Sequence, residues 1–96
     1  MPKNQKLTRV IAGRIITAAT TEPGGVLVLF DDQSSMKIKT TAGPELWPSG
    51  KVKSLYEAKT EFKIEFEDGS SATFCLANPG SSLAVRDKNH AVEYLG

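Results

Sequence analysis

The feature that most constrains this chain is an internal repeat, because a duplicated unit must fold twice in the same way and then pack on itself. Residues Val26-Leu27-Val28-Leu29-Phe30-Asp31-Asp32-Gln33-Ser34-Ser35-Met36-Lys37-Ile38-Lys39 align without a gap on Phe62-Lys63-Ile64-Glu65-Phe66-Glu67-Asp68-Gly69-Ser70-Ser71-Ala72-Thr73-Phe74-Cys75, 36 positions later. Upstream of each, Gly13-Arg14-Ile15-Ile16-Thr17-Ala18 matches Gly50-Lys51-Val52-Lys53-Ser54-Leu55 at a spacing of 37, which implies one residue lost between the two parts. The pseudo-repeats are therefore read as 13–49 and 50–89 of a single domain 1–96, with residues 1–6 as a flexible N-terminal tail. His90-Ala91-Val92-Glu93-Tyr94-Leu95 reads as the opening of a third copy, with Val92 and Leu95 matching Val52 and Leu55.

Within each unit the period of the apolar residues is two. Phe62-Lys63-Ile64-Glu65-Phe66-Glu67 alternates apolar and charged, the signature of a strand with one buried and one wet face. Asp68-Gly69 then predicts a tight type I′ turn, and Asp32-Gln33 the same turn without glycine at a small strain cost. The segment Ser49 to Lys59 is compatible with a helix by spacing. Its repeat partner Arg14 to Thr21 is rich in β-branched residues, so both are read as strands. The predicted core is Val26, Val28, Phe30, Met36 and Ile38 with Phe62, Ile64, Phe66, Ala72, Phe74 and Leu76, while Lys37, Lys39, Lys63, Glu65 and Thr73 face outward. Leu27 and Leu29 break the alternation, which predicts a strand covered on both faces. Leu83-Ala84-Val85-Arg86 and Ala91-Val92-Glu93-Tyr94-Leu95, flanking Asp87-Lys88-Asn89-His90, predict a C-terminal hairpin with a four-residue connection.

The expected fold is all-β: a small antiparallel barrel or sandwich of about seven or eight short strands, built from two pseudo-repeated three-stranded meanders plus a C-terminal hairpin. The alternative is α+β, with one short helix at Ser49–Lys59 or after Asn78. At 96 residues, neither meander could bury its apolar face alone, so the two must pack together.

Composition bears mainly on function. Twelve Lys and Arg against eleven Asp and Glu leave +1, which does not favour a nucleic-acid binder. The balance conceals +4 over residues 1–55 and −3 over 56–96. If the outward faces of the two meanders align, Lys37 and Lys39 join Lys51 and Lys53 in a basic stripe, the candidate nucleic-acid surface. One cysteine, Cys75, cannot form an internal disulfide, and with one histidine, His90, it predicts no metal site and no cofactor. A cytoplasmic location follows from that thiol, from the lack of a signal-peptide pattern and from the lack of a membrane-spanning run. Cys75 and His90 are residue types that could form a thiolate–imidazole nucleophile pair, but no catalytic motif accompanies them, so the chain is read as non-enzymatic. Asp31-Asp32 and Glu67-Asp68 are adjacent acids in turns; such residues hydrogen-bond their own backbone, as do Ser34 and Ser70, rather than hold calcium. Leu46, Trp47 and Pro48 lie in a proline-stiffened linker and are the candidate partner-binding residues, the competing reading being that Leu46 and Trp47 cap one end of the β-structure.

The ending Asn78-Pro79-Gly80-Ser81-Ser82-Leu83-Ala84-Val85-Arg86-Asp87-Lys88-Asn89 and Val92-Glu93-Tyr94-Leu95-Gly96, with Phe66-Glu67-Asp68-Gly69-Ser70, resembles small uncharacterised bacterial proteins that carry domains of unknown function. The likeness spans the last third of the chain. It implies a bacterial cytoplasmic origin and transfers no functional residue. The expected role is a binding or assembly module that takes a protein partner or a second copy of itself.

Overall fold

The computed structural model describes residues 2–42, 49–78 and 80–96. A short helix α1 (Gln5–Ile11) precedes eight strands: β1 (Ile15–Glu22), β2 (Gly25–Phe30), β3 (Ser35–Ala42), β4 (Gly50–Ala58), β5 (Glu61–Phe66), β6 (Ser71–Leu76), β7 (Leu83–Arg86) and β8 (Val92–Leu95). The Cα radius of gyration is 11.8 Å. All pairings are antiparallel, and they close into a ring β1-β2-β3-β6-β5-β4 through which β1 returns to β4. The all-β expectation holds, Ser49 to Lys59 contains a strand, and all eleven predicted core residues are buried. They are joined there by Leu7, Ile11, Ile16, Val52, Leu55, Leu83 and Val85.

The repeat is more regular than its sequence suggests. Every pair of the β1–β2 ladder recurs in β4–β5 shifted by 36, including Ile16↔Phe30 as Val52↔Phe66 and Ala18↔Leu29 as Ser54↔Glu65. Both ladders carry a bulge at the same step, with Thr17 and Lys53 as the extra residues. The expected offset of 37 for the opening strands is thus corrected to 36, with no residue lost. The two meanders meet where Ile15 pairs with Lys51 and Thr40 with Leu76. In both seams a residue faces its own repeat equivalent, so an approximate two-fold axis passes through both. The second unit ends at β6 rather than at residue 89, because β7 pairs with β3 and has no counterpart in the first meander.

The turns also differ from expectation in a way the register explains. Leu29 pairs with Ser35 and the Phe30 N–H donates to the Ser34 carbonyl, which leaves three loop residues instead of two. The Gln33 N–H closes a turn onto the Phe30 carbonyl, and Gln33 itself takes a left-handed φ of 71°. Gly69 (φ 89°) repeats this conformation after β5, and His90 (φ 65°) adopts it between β7 and β8. A left-handed non-glycine residue costs about 1–2 kcal/mol. Gln33→Gly is therefore expected to raise stability by about 1 kcal/mol, and Gly69→Gln to lower it by a similar amount, as read from urea-unfolding midpoints at constant slope.

Residues 2–6 form no tail. Asn4 caps α1, its Oδ1 accepting from the Leu7 N–H at 3.0 Å, and Gln5 and Lys6 are the first helical residues. Leu7, Thr8 and Ile11 face inward at one-turn spacing. The segment completes an open strand edge: the Asn4 N–H donates to the Leu55 carbonyl, the Glu57 N–H to the Pro2 carbonyl, and the buried Leu55 N–H to Thr8 Oγ1 at 3.1 Å. The helix thus lies outside both positions, Ser49–Lys59 and beyond Asn78, named for the α+β alternative. Nor does residue 90 begin a third copy: β8 pairs along β7, and Val92 and Leu95 are exposed where Val52 and Leu55 are fully buried.

Candidate binding face

The pairings carry side chains on the outer surface of β1, β2, β3, β7 and β8 in continuous rows, because directly opposed residues share a face. One row reads Thr20, Leu27, Lys37, Ala84, Leu95; the next reads Ala18, Leu29, Ser35, Arg86, Val92. Leu29 is 39% exposed, Val92 47% and Leu95 67%. The second face of β2 is therefore not covered by any described part of the chain, contrary to the expectation drawn from Leu27 and Leu29. Glu22, Leu27, Leu29, Lys37, Ala84 and Arg86 line a groove of about 430 Å³ there, with His90 at its rim. One oxygen of Glu22, Oε1, is buried without a hydrogen-bond partner among the described residues.

The repeat supplies an internal comparison. At the positions equivalent to Leu27 and Leu29 the second meander carries Lys63 and Glu65, with the same register. Lys63 Nζ lies 4.7 Å from the Tyr56 ring centroid and Tyr56 Oη donates to Glu65 Oε1 at 3.4 Å. One scaffold therefore presents a charged, self-satisfied surface on one side and, on the other, a groove in which apolar side chains alternate with the cations Lys37 and Arg86.

A second groove of about 420 Å³ lies between α1 and β8, lined by Lys6, Val10, Glu93, Tyr94 and Leu95. Two of its polar groups, Glu93 and Tyr94, are engaged internally. Glu93 holds Arg14 in a two-point ion pair at 2.8 and 3.0 Å, and Tyr94 Oη accepts from Asn4 Nδ2 at 3.0 Å. The Arg14–Glu93 hydrogen bonds, and the charges of Glu93 and Asp32, hold the Arg14 guanidinium above its ordinary pKa despite partial burial.

The candidate nucleic-acid residues do not converge. Lys37 and Lys39 lie on β3 and Lys51 and Lys53 on β4, three strands apart in a ring of six, so they occupy opposite sides and form no single stripe. Cys75 sits beside Ala42 at the far end of β3 from Ser35, whose partner Arg86 donates to the His90 carbonyl. Seven residues of strand, roughly 20 Å along β3, separate those ends. Among the described residues, no three His, Cys, Asp or Glu side chains converge on a metal-sized site. Leu46, Trp47 and Pro48 lie outside the described residues. The groove was signalled in the sequence only by Leu27 and Leu29; Ala84 and Arg86 join it through the β3–β7 pairing, which spans more than forty residues of chain.

The turn acids act on their own backbone. Asp32 Oδ1 accepts from the Ser34 N–H and hydroxyl, and Asp68 Oδ1 from the same groups of Ser70. The serine hydroxyl is the main reason both carboxyls sit below the usual carboxylate range, with the backbone N–H adding to it at both sites and Arg14 adding at Asp32. A depressed folded pKa contributes stability that is present above the unfolded value near 3.8 and is lost as pH falls through the folded one. The melting temperature is expected to fall more steeply below pH 4 in the wild type than in Asp32→Asn, Asp68→Asn, as read from melting curves across the acid range.

No family model, curated protein or solved structure matches the chain. No helix among the described residues is long and apolar enough to cross a membrane.

Proposed function

We propose that this protein is a non-enzymatic binding or assembly module that engages a protein through the outer face of β2, β3, β7 and β8, in the reducing cytoplasm of a bacterium. The observation that carries the reading is the contrast between Leu27 and Leu29 and their repeat equivalents Lys63 and Glu65. A solvated strand face is easily made polar, as the second meander demonstrates, and a contiguous exposed apolar patch rimmed by charge marks an interaction surface. Charge is placed within the face as well as at its edge: Lys37 stands between Leu27 and Ala84, Arg86 between Ser35 and Val92, and Glu22 at the outer end of β1, which gives a partner both apolar and polar groups to engage.

The test is affinity capture with the wild type and with Leu27→Lys, Leu29→Glu, followed by mass spectrometry. Lysines and glutamates already occupy these positions in the second meander, so the variant is expected to fold and to melt close to the wild type. The expected result is a partner, or an additional copy of the chain, retained by the wild type and lost by the variant. An identical retained set overturns the reading.

A further inference from the structure

Resting on the reading of this face as a binding surface, we infer that its occupant is a second copy of the same chain, packed face to face about a two-fold axis lying in the interface. An isologous contact needs a patch that complements itself. This one does, because its acid and its cations lie on opposite sides of one line: Glu22 at the outer end of β1, and Lys37 on β3 with Arg86 on β7. An axis crossing that line between Leu27 and Lys37 sets each Glu22 carboxylate against Arg86 of the other copy, with Lys37, beside the axis, directed toward the same carboxylate and the leucines packed between the two charged clusters.

The dimensions agree. Five strands at about 4.8 Å and strand lengths near 20 Å give a face of about 500 Å² in projection. The relief of Leu, Lys and Arg side chains raises its accessible area toward the roughly 600 Å² per partner of the smaller stable interfaces. Two sheets stacked about 10 Å apart would also cover Val92 and Leu95, the most exposed large apolar side chains.

Sedimentation equilibrium of the full chain across micromolar concentrations tests the proposal. The expected mass is twice the 10.4 kDa of the chain, and Leu27→Lys, Leu29→Glu is expected to be monomeric with a near wild-type melting temperature. Glu22→Arg and Arg86→Glu should each weaken the dimer by more than about tenfold, and the double variant should recover most of that loss, since only the exchanged pair restores opposite charges. A wild type that stays monomeric, a dimer that survives the leucine substitutions, or a double variant no better than the worse single one overturns the second copy as occupant. A monomeric wild type that still retains a different protein, only while Leu27 and Leu29 are intact, overturns the dimer and leaves the binding function standing.

Discussion

Phe74→Ala is expected to cost about 3–5 kcal/mol. Phe74 and Phe62 are directly opposed on β6 and β5, both fully buried, with ring centroids 6.1 Å apart. Their repeat equivalents on β3 and β2 are Ile38 and Val26, so the barrel interior is filled by a large pair from one meander and a smaller pair from the other. Truncating Phe74 removes a whole ring from a close-packed interior and leaves a cavity that the rigid ladders on either side cannot close. Val26→Ala removes two carbons and should cost about 2 kcal/mol, counting methylenes and a small void. A domain of this size holds about 5–15 kcal/mol in total. Phe74→Ala should therefore lower the melting midpoint by more than about 12 °C, at 4–8 °C per kcal/mol. Equal losses for the two substitutions, measured by thermal and urea unfolding, would show that the core is not centred on the phenylalanine pair.

The repeat made most of this core legible. Alternation in residues 62–67 and again in 72–76 places six inward side chains, and the 36-residue offset transfers the pattern to the first unit, where the alternation is blurred by Leu27 and Leu29. The offset failed for β1 and β4 because Gly13 and Gly50 were matched as equivalents. Both have positive φ, but each answers a local backbone need, and the structural equivalent of Gly50 is Arg14. The turn type was missed because Asp-Gly suits both a two-residue type I′ loop and the last two positions of a three-residue loop with glycine left-handed. Only the strand register separates the two. Helix α1 carries seven residues, too few for a periodic signal, and its helicity rests on the Asn4 cap and on burial against β4, a contact fifty residues distant.

The binding face was half legible for the same reason. Two leucines out of phase are visible in a single strand, and by themselves they predict only that both of its faces are covered. The other residues that make them a groove arrive from β7, which occupies the edge of β3. The equivalent edge of β6 has no strand beside it among the described residues. The pseudo-symmetry is broken there, as it is at the edge of β4 that the segment through α1 covers, and the groove is built on the β7 side.

Arg14 is where that asymmetric addition is fastened, and Arg14→Met is expected to cost about 2 kcal/mol. Its guanidinium reaches both oxygens of Glu93 on β8, Ser34 Oγ at 2.9 Å and Asp32 at 3.4 Å, and lies 5.9 Å from the Phe30 ring centroid. One side chain at the start of β1 therefore ties the β2–β3 turn to the last strand. With 17% of the Arg14 side chain and 28% of that of Glu93 exposed, the pair is partly solvated, which places its loss below the 3–5 kcal/mol of a fully buried pair. Two-point geometry makes the residue type matter as much as the charge. Arg14→Lys keeps the charge, cannot hold both oxygens, and should recover less than half of the loss. Glu93→Gln should cost about 1 kcal/mol and the double variant little more than Arg14→Met alone, since the two substitutions remove the same contact. Hydrogen exchange gives the readout that separates a local fastening from general loosening. Amides of β8 and of the Asp31 to Ser34 turn should lose protection in Arg14→Met, while those of β5 and β6 should follow only the global change. Uniform loss across all eight strands would place Arg14 in the barrel's overall stability and remove it as the clasp that holds the binding face together.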